Sequence, residues 1–361
     1  MTQIVNDLTQ LLEATLEEQL ATGCPGAILE VSAPDLGIAF SGARGLYARD
    51  GARHLQVTDA FRAASITKAV TAATAVHLAA NHRWDLDDPA AKFLPAQIVL
   101  ELSRLKGLSD VNQLTIRRLL SHTSGLPDYF FDDRFQQAVR REPDRVWQPE
   151  ELVGAAVDIG ELLFTPGSDF SYGDTGYVVV GIAIERRFDC CLADAYRSVV
   201  LDPLAMGSTY VEWREPPRHD SLSHHYDRDE DLRPRNLSFD WAGGGLVTTA
   251  SDLTRFLKGL FGGVLFSRCW LNEMTDWRTE TRWRPHSSAR YSRYGLGLGM
   301  NFAYGEEIVG ATGVWGAFAY YWPSGGATVT GTLNVVGADR PALMDRVIWA
   351  LKRRPTIDER I

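Results

Sequence analysis

Apolar residues at Ile4, Leu8, Leu11, Leu12, Leu16 and Leu20 fall on one helical stripe, which predicts an amphipathic helix over 3–21, stopped by Gly23 and Pro25. Residues 27–31 and 37–41 read as two strands around a turn at Pro34-Asp35. Residues 63–80 are rich in Ala and contain no Gly or Pro, which predicts a buried helix. Residues 85–163 look mostly helical with several interruptions, and a short helix over 115–120 runs into a turn at 121–127. A loop at 171–174 precedes a buried helix over 175–186, with Asp174 placed as its N-cap. Residues 212–240 mix charge and proline and read as an exposed excursion, and 251–260 read as an amphipathic helix. The tail alternates like a meander over 294–302, 307–312, 317–322 and 327–335, and a last helix runs from about 339 to 351.

Strands and a helix therefore open the chain, helices fill its middle, and strands and a helix close it. That order predicts an α/β (α+β) fold: an antiparallel sheet built from both ends and flanked by helices, with an all-helical region inserted between. We expect a single domain over 1–361, its α/β part at about 1–80 and 241–361 and its helical part at about 81–240. Composition adds little beyond size. The 361 residues are 45% hydrophobic and 23% charged, an ordinary globular balance, and the net charge of -9 is spread without a basic face for nucleic acid. No apolar run is long enough for a bilayer, and the N-terminus lacks the pattern of a signal peptide, so we expect a cytoplasmic protein that makes no membrane contact. Cys24, Cys190, Cys191 and Cys269 form no C-x-x-C pair and read as reduced thiols.

The candidate chemistry sits at the start of the Ala-rich helix. Ser65 and Lys68 are three apart, which places both side chains on one helical face. A serine hydroxyl becomes a nucleophile when a base takes its proton, and a lysine held in a low-dielectric site sheds its own proton more easily. A serine at a helix start is also an ordinary cap. The chain carries a second copy of the spacing, Ser103-Arg104-Leu105-Lys106, followed by Gly107; that copy ends a helix and reads as a solvated turn. Tyr172 occupies a loop-to-helix corner, where a phenol can relay protons if positive charge lies near it. Other chemistries find no support. Gly-x-Ser-x-Gly, His-Glu-x-x-His and a P-loop are absent, the glycines at 295, 297 and 299 read as strand glycines, and His224-His225 read as part of a solvated loop.

Five segments together resemble the serine β-lactamase-like family, which includes class C β-lactamases, D-alanyl-D-alanine carboxypeptidases, D-aminopeptidases, family VIII esterases and some acyltransferases. They are residues 61–68 (FRAASITK), 119–126 (LLSHTSGL), 172–177 (YGDTGY), 243–252 (GGGLVTTASD) and 310–313 (GATG). The resemblance implies a catalytic cleft between an α/β part and a helical part. It implies Ser65 as the acylated nucleophile and Lys68 and Tyr172 as general base and acid. It further implies an oxyanion hole from the backbone N–H groups of Ser65 and Val314, with substrate held by positions 174 and 311–313. Residues 121–126 carry over as a fold marker. No cofactor or metal is implied, and the expected partner is a small-molecule substrate.

Two positions depart from the family pattern. Asp174 stands where Asn is usual, and Ala311 stands where Lys or His usually precedes Thr312-Gly313. The chain thereby loses a donor or cation and gains an anion that would repel a substrate carboxylate. The expected activity is a serine hydrolase acting on a small ester or amide. The alternatives are an acyltransferase using the same acyl-enzyme and a catalytically silent binding or scaffold protein. Arg278, Arg282, Arg284, Arg290 and Arg293, interleaved with Trp283 and Tyr291, read either as a solvated surface loop whose arginines pair with acids elsewhere or as a lid near the cleft, one or two of whose arginines bind an acidic or extended group of the substrate.

Overall fold

The computed structural model describes residues 2–353 apart from 278 and 281–290. Its centre is an eight-stranded sheet in the order β2-β1-β13-β12-β11-β10-β9-β8. The strands are β1 (Gly26–Ala33), β2 (Ile38–Gly45), β8 (Thr279–Glu280), β9 (Arg293–Tyr294), β10 (Gly299–Ala303), β11 (Glu306–Thr312), β12 (Ala317–Trp322) and β13 (Ala327–Leu333). Every pairing is antiparallel, and the first two strands join the last by β1 against β13, Ala27 opposite Leu333. A three-stranded sheet, β3 (Phe61–Arg62), β7 (Leu246–Thr248) and β4 (Tyr210–Val211) with β7 in the middle, lies where the helical segment leaves and rejoins the strands, and β5 (Tyr226–Asp227) and β6 (Glu230–Asp231) form a small hairpin.

Helices cover both faces of the main sheet. The apolar stripe of α1 (Thr2–Ala21) packs with α12 (Arg340–Lys352) on one face: Leu8, Leu12 and Leu16 meet Leu343, Val347 and Ile348 over Phe318, Tyr320 and Trp322. The opposite face of β12 carries Ala317 and Ala319, small enough for α10 (Ala250–Phe261) and the turn at 64–66 that leads into α2 (Thr67–Ala80) to approach closely. Packing on both sides leaves every residue of β1 buried except the half-buried Glu30, where a half-exposed strand would alternate. Each fully buried Val, Leu or Phe here contributes about 1.5–3 kcal/mol. The middle of the chain supplies α3 (Ala96–Leu102), α4 (Ile116–Leu120), α5 (Asp133–Arg141), α6 (Pro149–Val157), α7 (Thr175–Phe188), α8 (Leu192–Tyr196), the single turn α9 (Trp241–Gly244) and, later, α11 (Arg268–Met274).

Three local expectations change. The strand expected over 294–302 is broken between β9 and β10. Gly297, at φ +73°, tucks its backbone onto α2, where a Cβ would lie 2.7 Å from the Lys68 carbonyl oxygen. His225, expected in a solvated loop, is buried and its ring lies 5.2 Å from that of Trp315; His224 pairs with Asp231 at 2.7 Å. Of the arginine stretch, Arg278, Arg282, Arg284 and Arg290 lie outside the described residues, and Arg293 sits exposed in β9.

Candidate active site

Ser65 owes its position to an abrupt change from strand to helix. After β3 the Ala63 N–H donates to Leu246 O at 2.8 Å. One 3-10 turn over Ala64–Ile66 then leads into α2, and Ala64 takes φ +46°. A left-handed residue bearing a Cβ costs on the order of 1 kcal/mol, so the surrounding packing holds this turn in place. Ala64 and Ile66 are buried while Ser65 between them is half-exposed, so the turn faces one hydroxyl out of the core.

Lys68 lies one turn further along, fully buried. Its Nζ donates to three acceptors: Ser65 Oγ at 3.1 Å, Asp174 Oδ1 at 2.5 Å and Gly243 O at 2.9 Å. It also lies 5.0 Å from the ring centre of Tyr172 and 5.6 Å from that of Tyr177. Burial works to strip the ammonium of its proton, but the charge of Asp174, that of Tyr172 and the hydrogen bond to Asp174 together outweigh it and hold Lys68 above its ordinary value. The expectation of an easily neutralised lysine is therefore corrected: a carboxylate 106 residues away in the chain restores the charge that burial would remove.

Asp174 is the N-terminal flanking residue of α7, but its side chain makes no capping hydrogen bond, contrary to its expected role. Its carboxylate points at Lys68 instead. Two further acids crowd the site. The Asp174 N–H donates to Asp128 Oδ1 at 3.0 Å, and the Asp128 carboxyl is pushed up to about 7 by burial and by the charge of Asp174. Asp240, buried just before α9, is pushed up to about 8 for the same two reasons. The Lys68–Asp174 ion pair is thus flanked by two buried carboxyls whose ionisation is held back.

The Tyr172 phenol lies beside Ser65. Burial raises the phenol well above the usual range, and the Lys68 charge together with the Ser65 hydroxyl pulls it partly back. The tyrosine is held by His122, whose backbone oxygen accepts from the Ser171 N–H at 2.9 Å and whose Nδ1 accepts from the Gly173 N–H at 3.3 Å. Its ring centre lies 4.3 Å from that of Tyr172. Burial and the Lys68 charge push His122 well below its usual value, so the ring is neutral and Nδ1 is free to accept. Phe170, Tyr291 and Tyr294 pack with Tyr172 as one aromatic wall.

The far wall is the end of β11. Ala311 pairs with Ala319 and is buried; Thr312 donates its N–H to the Tyr291 hydroxyl at 3.0 Å. Gly313 passes so close to the nucleophile turn that a Cβ there would lie 2.3 Å from Ala63 O, which only glycine permits. Half-buried Val314 follows it, and Arg340 Nη1, from the first residue of α12, donates to Gly313 O at 2.5 Å.

The structure therefore brings together Ser65, Lys68, Tyr172, Asp174 and the 311–314 strand end. Sequence reasoning missed the roles of His122, Asp128, Asp240 and Arg340. His122 stands in the motif at 121–126, already singled out by its residues, whereas the other three carry no local signal. Among the described residues no three His, Cys, Asp or Glu side chains converge as a metal-binding group, and no helix is long and apolar enough to cross a membrane.

The chain matches the Beta-lactamase family model over residues 12–352. Among solved structures it is similar to a D-stereospecific amidohydrolase from a Streptomyces species, with 29% identity, a TM-score of 0.79, 96% of this chain and 98% of that one. The fold also matches a D-amino acid amidase from Ochrobactrum anthropi SV3, with 24% identity, a TM-score of 0.82, and 96% and 99% of the two chains. Among curated proteins it is 30% identical to penicillin-binding protein 4* of Bacillus subtilis over 175 residues, which span 43% of this chain and 37% of that one. The family match from the first amphipathic helix to the last, on a fold shared over nearly the whole chain, establishes that this protein belongs to the beta-lactamase family.

Proposed function

We propose that this protein is a serine hydrolase that cleaves a small amide or ester through an acyl-enzyme on Ser65. The observation that carries the reading is the convergence on one half-exposed hydroxyl of the Lys68 ammonium at 3.1 Å and the Tyr172 phenol. A serine placed only to cap a helix needs neither. In the proposed reaction, Ser65 Oγ attacks the substrate carbonyl as its proton passes to the Lys68–Tyr172 pair. The backbone N–H groups of Ser65 and Val314 receive the developing oxyanion, each donor contributing about 3 kcal/mol to lowering the barrier. Collapse of the tetrahedral intermediate expels the amine or alcohol, which takes the proton back from the pair. Water then repeats the sequence and frees Ser65.

For substrate class, the likeness to a D-stereospecific amidohydrolase supports an amide of a D-amino acid or a short D-peptide. Ala311 offers no cation to a substrate carboxylate, and the Asp174 charge is already engaged by Lys68. Neutral or amidated acyl groups therefore suit the site better than penicillins or free-acid D-dipeptides. The test is turnover of D- and L-amino acid amides, nitrophenyl acetate and a cephalosporin by wild type and Ser65→Ala, with intact mass read for an acyl adduct. Hydrolysis by Ser65→Ala at the wild-type rate would refute the reading; efficient cephalosporin turnover would refute the substrate class alone.

A further inference from the structure

Asp174 has no place in the reaction just described, yet it makes the shortest contact to Lys68. We infer that Asp174 is a positioning residue that sets the pH range of the reaction: it pins Lys68 as a permanent cation and leaves the Ser65 proton to Tyr172. The inference rests on Ser65 being the nucleophile.

The geometry carries it. The three protons of an ammonium match the three acceptors around Nζ, one of them a carboxylate whose side chain is almost entirely enclosed. Neutralising Lys68 requires either leaving Asp174 as a lone anion or moving a proton onto a carboxyl that is intrinsically about six units more acidic than the ammonium. Among the described residues the groups facing Lys68 offer no other full counter-charge. Tyr177 and Tyr172 face Lys68 from α7 and the loop before it, His122 is neutral, and Asp128 and Asp240 resist ionisation. Arg62, on β3, is committed to Glu212 by two hydrogen bonds at 2.8 and 2.9 Å. Among the described residues, Tyr172 is then the group beside Ser65 that can gain and lose a proton. Its phenolate, stabilised by the adjacent ammonium, takes the Oγ–H proton as the Oγ–C bond forms and the carbonyl π pair moves to oxygen. The Tyr172 O–H then protonates the leaving group as its bond to carbon breaks. An asparagine at 174 would give Lys68 no anion, and the buried amine could shed its proton near neutrality and act as the base.

The experiment measures the rate at which a fluorophosphonate labels Ser65, read by intact mass, in wild type, Asp174→Asn and Asp174→Glu between about pH 5 and about pH 9. The wild-type rate should climb without a plateau, since the base titrates above that range. Asp174→Asn should move the rising limb at least about one unit to the acid side, so that its rate at the acid end, relative to the alkaline end, exceeds the wild-type ratio about tenfold. Asp174→Glu restores the charge and should restore the wild-type limb, which a side chain that merely filled space would not distinguish from Asn. Superimposable limbs for wild type and Asp174→Asn overturn the inference. Should Asp174→Asn fail to fold, Asp174→Glu decides alone: a limb matching wild type supports the inference and a displaced one overturns it. Absence of label on wild-type Ser65 would count against the proposed function itself.

Discussion

The chain holds the pattern Ser-x-x-Lys twice, and the two copies share nothing but their spacing. Ser65 begins a helix whose residues are almost all buried; Ser103 follows the last residue of α3, exposed, with its hydroxyl turned back onto Val99 O at 2.7 Å. Lys68 is enclosed by an anion, a carbonyl and a hydroxyl, whereas Lys106 is exposed, its backbone meeting residues 160–162. The spacing supplies adjacency in both copies. Enclosure makes one of them chemical, because charges and hydrogen bonds acquire large energies only where water is excluded.

The comparison can be broken by substituting both copies in parallel. Ser65→Ala should lower ester or amide turnover by about 10⁴-fold or more, while Ser103→Ala leaves it unchanged; equal losses would end the distinction. Lys68→Ala should cost both activity and fold, about 3–5 kcal/mol by urea titration, because Asp174 is left an unpaired buried anion, against less than about 0.5 kcal/mol for Lys106→Ala. Tyr172→Phe should lower turnover by at least about 100-fold with thermal stability retained, and a variant of undiminished rate would return Tyr172 to packing alone. The smallest effect concerns the acids around the lysine. Asp240 and Asp128 bind protons more tightly when folded than when unfolded, so their contribution to stability is full below about pH 4 and is lost as pH rises through about 7 to 8. Urea stability should therefore fall by on the order of a few kcal/mol between about pH 5 and about pH 9, and Asp240→Asn should flatten that slope. An unchanged slope would show that Asp240 ionises freely in the fold.

Much of the fold was legible because it is written in short-range periodicity. The stripe of α1, the alternation of β12 and the Ala-rich run of α2 each follow from a repeat of two or 3.6 residues that a neighbour in sequence can reveal. The same reading failed over 294–302, where Gly297 serves a helix more than two hundred residues earlier, and at His225, which is buried against Trp315. The arginine-rich stretch beginning at 278 was legible as charge, and most of it falls outside the described residues.

By itself, then, the sequence determined where Ser65 and Lys68 stand relative to one another, since a helix brings residues three apart together wherever it is placed. It also determined the order of strands and helices and the family to which that order belongs. Only the tertiary structure decided the charge on Lys68. That charge depends on Asp174, on the phenol of Tyr172 and on the carbonyl of Gly243, groups drawn from 104 to 175 residues away. Protonation in a buried site follows the balance of desolvation against every nearby charge, and that sum exists only once the chain has folded around it.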